Sequence, residues 1–145
     1  MPPVKLALPR KRLSGQKSRN LHAEDDLQTD ICNYHRLGVD KEYTLFAVPN
    51  GGKRSEAEGA RLKRMGVTPG VSDLILVGPN RFIVFIEVKL EQNIFGQKKT
   101  TQSADQVAFE AKMIRMGFPY VVVRSKKEYY DLLQKMGVKT HTSPL

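Results

Sequence analysis

The sequence predicts an α/β fold, a mixed β-sheet flanked by α-helices, and three observations carry that prediction. Apolar residues recur at helical spacing in Leu27, Ile31, Tyr34 and Leu37, while β-prone runs stand at Leu74 to Val77, Phe82 to Leu90 and Pro119 to Val123. Glycine and proline punctuate the boundaries between such segments. The resulting order is helix, strand, helix, hairpin, helix, strand, helix, which lets one sheet bury its faces under helices. A chain of 145 residues with 40% hydrophobic content is long enough for one compact core and too short for two.

Taken in order, residues 1–20 are expected to form a flexible basic arm. Lys5, Arg10, Lys11, Arg12, Lys17 and Arg19 stand there without an acid, among Pro2, Pro3, Pro9 and Gly15. The domain proper is expected at 21–138, with 139–145 as a short tail. Its first helix runs from Ala23 and stops at Gly38, a glycine C-cap. Tyr43 to Pro49 is a short strand, and Asn50-Gly51-Gly52 a tight turn or a place of close backbone approach. Ser55 to Met65 reads as a helix, which Val67-Thr68-Pro69-Gly70-Val71 ends. Ser72 to Val77 and Arg81 to Leu90 are two strands joined at Gly78-Pro79-Asn80, hence a hairpin. Residues 91–101 are polar and expected to be mobile. Gln102 to Met116 returns to helical spacing, Pro119 to Val123 is an apolar strand, and Ser125 caps a last helix from Lys126 to Met136.

The formal net charge of +9 points to a polyanionic partner, nucleic acid being the commonest. The arm has two readings: sequence-independent phosphate contact through residues such as Arg10, Lys11 and Arg12, or a solubilising tail. The lone Cys32 can form no internal disulfide, and no cysteine cluster has zinc spacing, which suits a reducing compartment. No apolar run reaches the roughly 18 residues of a membrane span, and the N-terminus has no signal-peptide core. The expectation is a soluble, cytoplasmic protein without a membrane partner.

The segment richest in chemistry is Glu87-Val88-Lys89, preceded by Asp73. On a strand the side-chain period is two, so Glu87 and Lys89 share one face and Val88 takes the other. Burying a carboxylate and an ammonium at the end of an apolar strand is costly unless they pair or meet a cation. Each residue alone also has an ordinary reading. Asp73 could bond locally at a strand start, Glu87 could pair with Lys89, and Lys89 could be an exposed partner of Glu91.

In these residues the chain resembles the VRR-NUC family, a branch of the PD-(D/E)XK nuclease superfamily. The resemblance spans about Leu21 to Ser125 and rests on Glu24 with Leu27-Gln28, Gly70-Val71-Ser72-Asp73-Leu74, Glu87-Val88-Lys89, Gln102-Ser103 with Gln106, and the strand after Gly117. It implies a restriction-endonuclease-like core and a DNA nuclease dependent on Mg²⁺ or Mn²⁺. Asp73 and Glu87 would be metal ligands, with the Val88 carbonyl as a third oxygen and Glu24 completing the shell directly or through water. Lys89 would orient water and stabilise phosphate charge, and Gln106 would position water or phosphate. Glu24 stands beside Asp25 and Asp26, so a solvated helix-start acid is its other reading; surface glutamines are the other reading for Gln28, Gln102 and Gln106. The superfamily's proline before the first acid is Ser72 here, which removes no ligand.

Lys53, Arg54, Arg61 and Lys63, just ahead of the hairpin, are candidates to grip a phosphate backbone, against the ordinary reading of a solvated helix face. The implied activity is a structure-specific endonuclease for four-way junctions or flaps in replication, recombination or repair, acting as a homodimer. The alternatives are a non-catalytic DNA-binding or interaction module of a repair complex, and a restriction-type endonuclease.

Overall fold

The computed structural model describes residues 15–50 and 54–144, with side chains from residue 22 onward. Its elements are α1 (Gly15–Gly38), β1 (Thr44–Ala47), α2 (Glu56–Arg64), β2 (Leu74–Gly78), β3 (Phe82–Val88), α3 (Ala104–Arg115), β4 (Tyr120–Val123) and α4 (Lys126–Lys135). The four strands lie in the order β1-β2-β3-β4. β1 to β3 form an antiparallel meander, and β4 joins β3 in parallel after the α3 crossover. The sheet is therefore mixed, as expected, with a parallel pair where a helical crossover joins β3 to β4.

Alternation along the strands divides the core. Leu74, Leu76, Val84, Ile86, Val88 and Val123 face Ile31 and Tyr34 of α1 and Tyr129, Leu132 and Leu133 of α4. Phe85 and Tyr120 meet Met113 of α3 on the other face, with Ile75, Ile83, Phe109 and Val122 packed around them. Burial of such side chains stabilises by about 1.5–3 kcal/mol each, so the larger α1/α4 cluster carries most of the fold. α2 contains no buried residue. Among the described residues no helix is long and apolar enough to cross a membrane.

Two boundaries differ from expectation in ways that matter. α1 begins at Gly15 and not at Ala23, so residues 15–20, assigned to the flexible arm, are helical. Gln16, Lys17 and Arg19 are good helix formers with no apolar stripe among them, and extending a helix already nucleated by a packed segment adds a hydrogen bond per residue at little cost. The remainder of the arm, Arg10, Lys11 and Arg12 included, lies outside the described residues, as do Gly51, Gly52 and Lys53. At the hairpin, Arg81 belongs to the turn. Asn80 and Arg81 have φ of 58° and 64°, and β3 starts at Phe82, paired with Gly78.

Gly70 is a glycine the fold requires. Its φ is +80°, and a Cβ there would stand 2.2 Å from the Asp105 carbonyl oxygen at the start of α3. The segment leading into β2 thus lies directly on the N-terminus of α3, and that contact brings the two halves of the site together.

Candidate active site

Asp73 immediately precedes β2, and its Oδ2 accepts a 2.8 Å hydrogen bond from the Val88 N–H. Its own carbonyl accepts from the Val48 N–H at 2.9 Å, so Asp73 is fixed between β1 and the end of β3. Val88 points into the α1/α4 core, which turns Glu87 and Lys89 to the α3 side, as the period of two demands. Glu87 is fully buried and Lys89 is 6% exposed.

Three donors surround the Glu87 carboxylate. Lys89 Nζ lies 3.0 Å from Oε1, Gln106 Nε2 donates to the same oxygen, and the Tyr120 hydroxyl donates to Oε2 at 3.1 Å. Even so, its pKa is pushed up to about 7: burial contributes most, the neighbouring Asp73 charge next, and Lys89 offsets only part. The Tyr120 phenol is held above its ordinary range by burial and then by the Glu87 charge, so it stays protonated and a donor.

Gln106 has two tasks fixed by its place on α3. Ser103 caps the helix by accepting from the Gln106 N–H, and Gln106 Oε1 accepts from the Ser103 N–H at 2.8 Å, which completes a capping box. The side-chain oxygen is held by the cap, so the amide nitrogen is free to face Glu87. On the other side, Glu24 of α1 accepts from the Thr100 hydroxyl and has Oε2 3.8 Å from Lys89 Nζ. Thr100 Oγ1 also accepts from the Leu90 N–H at 2.8 Å, linking Glu24 to the residue after Lys89.

The structure thus joins Asp73, Glu87, Lys89 and Gln106 directly, with Glu24 reaching them through Lys89. Gln102 donates instead to Glu110 at 2.8 Å. Lys89 is no exposed partner of Glu91, whose carboxylate lies 3.8 Å from Lys99 and 3.9 Å from Arg124. Tyr120 and Thr100 were missed in the sequence. Tyr120 looked like one more core residue of an apolar strand, and Thr100 lay in a polar segment without periodicity; only pairing of β4 with β3 and closure of the loop reveal their roles. Arg54 and Lys63 line a cavity of about 470 Å³ with Asn50, Leu62, Val71 and Gln106, whereas Arg61 lies outside it beside Met65.

The donor chemistry suits a hard divalent cation. Two carboxylates stand close enough that one raises the pKa of the other, a repulsion that a cation between them would remove. Glu87 already meets three donors, so a cation would take its remaining lone-pair direction or displace one of them. Among the described residues no group of three His, Cys, Asp or Glu side chains gathers around one point. Glu24 reaches the acid pair by way of Lys89 and Thr100.

A solved structure of a VRR_NUC domain protein is similar to this chain, with a TM-score of 0.59 and 22% sequence identity, covering 84% of this chain and 96% of that one. No family model matches the sequence, and no curated protein does. At that identity the likeness establishes the fold alone. The chain has a VRR-NUC, restriction-endonuclease-like α/β fold.

Proposed function

We propose that this chain is a metal-dependent DNA endonuclease that recognises branched structures, four-way junctions or flaps, as a homodimer. The observation that carries the reading is the convergence of Asp73, Glu87 and Lys89 at the end of β3, with Glu87 buried 3.0 Å from Lys89 and its pKa raised by burial and then by its acidic neighbour. A buried carboxylate beside a half-buried one is expensive as a purely structural element and suits charge handling.

Asp73 and Glu87, with the Val88 carbonyl beside them, would hold Mg²⁺ or Mn²⁺, which when bound supplies Lewis acidity toward phosphate oxygen and toward water. Lys89 presents a fixed ammonium where negative charge develops on the phosphate as the water oxygen attacks and the leaving oxygen departs. Gln106 and Tyr120 keep the Glu87 carboxylate oriented, and Glu24 holds Lys89 from the opposite side. Arg54 and Lys63 along the neighbouring cavity, with Arg61 nearby, would grip backbone phosphates and leave sequence unread, which favours recognition by DNA shape.

Purified full-length protein, incubated with linear, flap and four-way DNAs with and without Mg²⁺ or Mn²⁺, tests the proposal. Cleavage is expected only with metal and preferentially on the branched substrates. Asp73→Ala, Glu87→Ala and Lys89→Ala should each reduce it by about 10³-fold or more while leaving DNA binding measurable. Wild-type rates in any of the three would remove the proposed centre.

A further inference from the structure

Among the described residues the most exposed large apolar side chains are two neighbours, Ile94 at 93% and Phe95 at 88%. They stand at the tip of a loop that is closed at its root. Thr100 N–H donates to the Leu90 carbonyl at 3.0 Å while Leu90 N–H donates to Thr100 Oγ1 at 2.8 Å. Arg124 Nη1 donates to both the Leu90 and Thr100 carbonyls, at 2.6 and 2.9 Å. The ends of the segment are thus held together, as in a compact Ω-loop.

The tip is also built. Asn93 Oδ1 accepts from the Phe95 and Gln97 N–H groups, each at 3.0 Å, Asn93 N–H donates to the Gln97 carbonyl at 3.2 Å, and Gly96 turns with φ of +88°. Gln97 Nε2 ties the turn back to the Glu91 carbonyl at 2.5 Å. Such a turn has already met part of the ordering cost, so the two side chains are presented without an apolar contact of their own.

What would cover them is indicated by charge and position. Lys98 and Lys99 follow the tip after Gly96 and Gln97; Lys99 Nζ lies 3.8 Å from Glu91, while Lys98 has no ion-pair partner among the described residues. The root is Leu90, the residue after Lys89, and Thr100 is bonded to Glu24 of the site. A second copy of a chain with a net charge of +9 would approach this cationic loop against repulsion, whereas a polyanion would be drawn to it. Apolar side chains followed by lysines match the chemistry of a base step: the bases stack on the apolar tip and the phosphates meet the ammonium groups.

We propose that Ile94 and Phe95 form a wedge that inserts at a branch point of DNA and unstacks the base step there, with Lys98 and Lys99 on the adjoining phosphates. The inference rests on the proposed DNA-cleaving role of the site and adds to it a device for recognising branched substrates.

A flap DNA carrying 2-aminopurine at the branch tests this with full-length protein in a chelator, where no metal-dependent cutting occurs. Wild-type protein should raise the fluorescence at saturation. Ile94→Ser/Phe95→Ser should cut the rise about fivefold and weaken binding to unbranched duplex less than about threefold. Both positions are solvent-exposed, so the variant should melt like wild type. The chain has no tryptophan, so Phe95→Trp adds a sole reporter whose emission should be quenched on stacking. An undiminished rise in the double variant, or unquenched tryptophan emission at saturation, would overturn the wedge. So would a halving of the DNA-free light-scattering mass by the double variant, which would make the tip a contact between copies. Cleavage with Mg²⁺ or Mn²⁺ is scored separately: protein that unstacks the step and never cuts keeps the wedge and loses the nuclease. Protein that cuts, with unstacking unchanged in the variant, loses only the wedge.

Discussion

Glu87 meets Lys89, Gln106 and Tyr120 as donors and Asp73 as a like charge, and its state of charge depends on that balance. Gln106→Ala removes a donor to Glu87 and half of the capping box together, so it should cost about 1 kcal/mol in chemical denaturation and also slow cleavage. Gln106→Glu keeps the cap acceptor but sets a second negative charge against Glu87, so it should spare stability more than activity. Equal losses of activity and stability in both variants would mean that Gln106 is only a cap. His35 titrates with the opposite consequence. Its Nε2 lies 2.9 Å from the Tyr43 carbonyl, which only accepts, so Nε2 carries the proton and Nδ1 accepts from the Tyr129 hydroxyl at 2.7 Å. Burial lowers its pKa from 6.5, so its contribution is present above that value and is lost as pH falls through it. Glu87 is raised from 4.5 to about 7, so acidification over that interval restores stability in metal-free protein. Glu87→Gln should therefore make melting temperature fall more steeply from pH 7 to pH 5 than in wild type, and His35→Gln should flatten or reverse the fall. Parallel profiles for all three proteins would refute both assignments. The acids and the lysine were legible in the sequence because chemistry at period two needs only the local strand. Tyr120 and Thr100 were not, because each acquires its role from a segment distant in sequence.

At the scale of elements, every predicted helix and strand is present, since each combines a periodic apolar face with a cap or breaker beside it. The errors fall where such signals are missing: the polar start of α1 and the left-handed Arg81 at the hairpin. What periodicity could not convey is how elements approach one another, and Gly70 is the decisive case. The residues of its segment were legible, but the reason for the glycine is the Asp105 carbonyl against which it lies. Gly70→Ala should destabilise by about 2 kcal/mol or more, since the left-handed strain adds to a contact that only backbone movement can relieve. It should also reduce cleavage, because it separates Asp73 from the helix carrying Gln106. Gly59 of α2 supplies the control. Open space surrounds its Cβ position, so Gly59→Ala should stabilise by about 0.5–1 kcal/mol through helix propensity. Similar melting shifts for the two variants would show that Gly70 is not a point of close approach.

At the scale of the whole molecule, each protomer contains one cluster of Asp73, Glu87 and Lys89, yet resolving a four-way junction requires two strands to be cut in concert. A two-fold homodimer would present two equivalent sites to a substrate with matching pseudo-symmetry, which is why the proposed substrate and the proposed assembly stand together. The net charge of +9 opposes association of free protomers, and neutralisation by DNA phosphate removes that opposition, so the dimer should strengthen on junction DNA and at raised ionic strength. Light scattering should therefore give a protein mass twice the monomer's 16.4 kDa, most completely in the junction complex once the mass of the DNA is subtracted. Mixing wild-type protein with an excess of Asp73→Ala should then make nicked junctions accumulate at the expense of paired cuts, because mixed dimers carry one competent site. A protein that stays monomeric on the junction, with nicking unaffected by the inactive partner, would separate the cleavage centre from dimeric resolution and leave it to cut single strands, as a flap substrate requires.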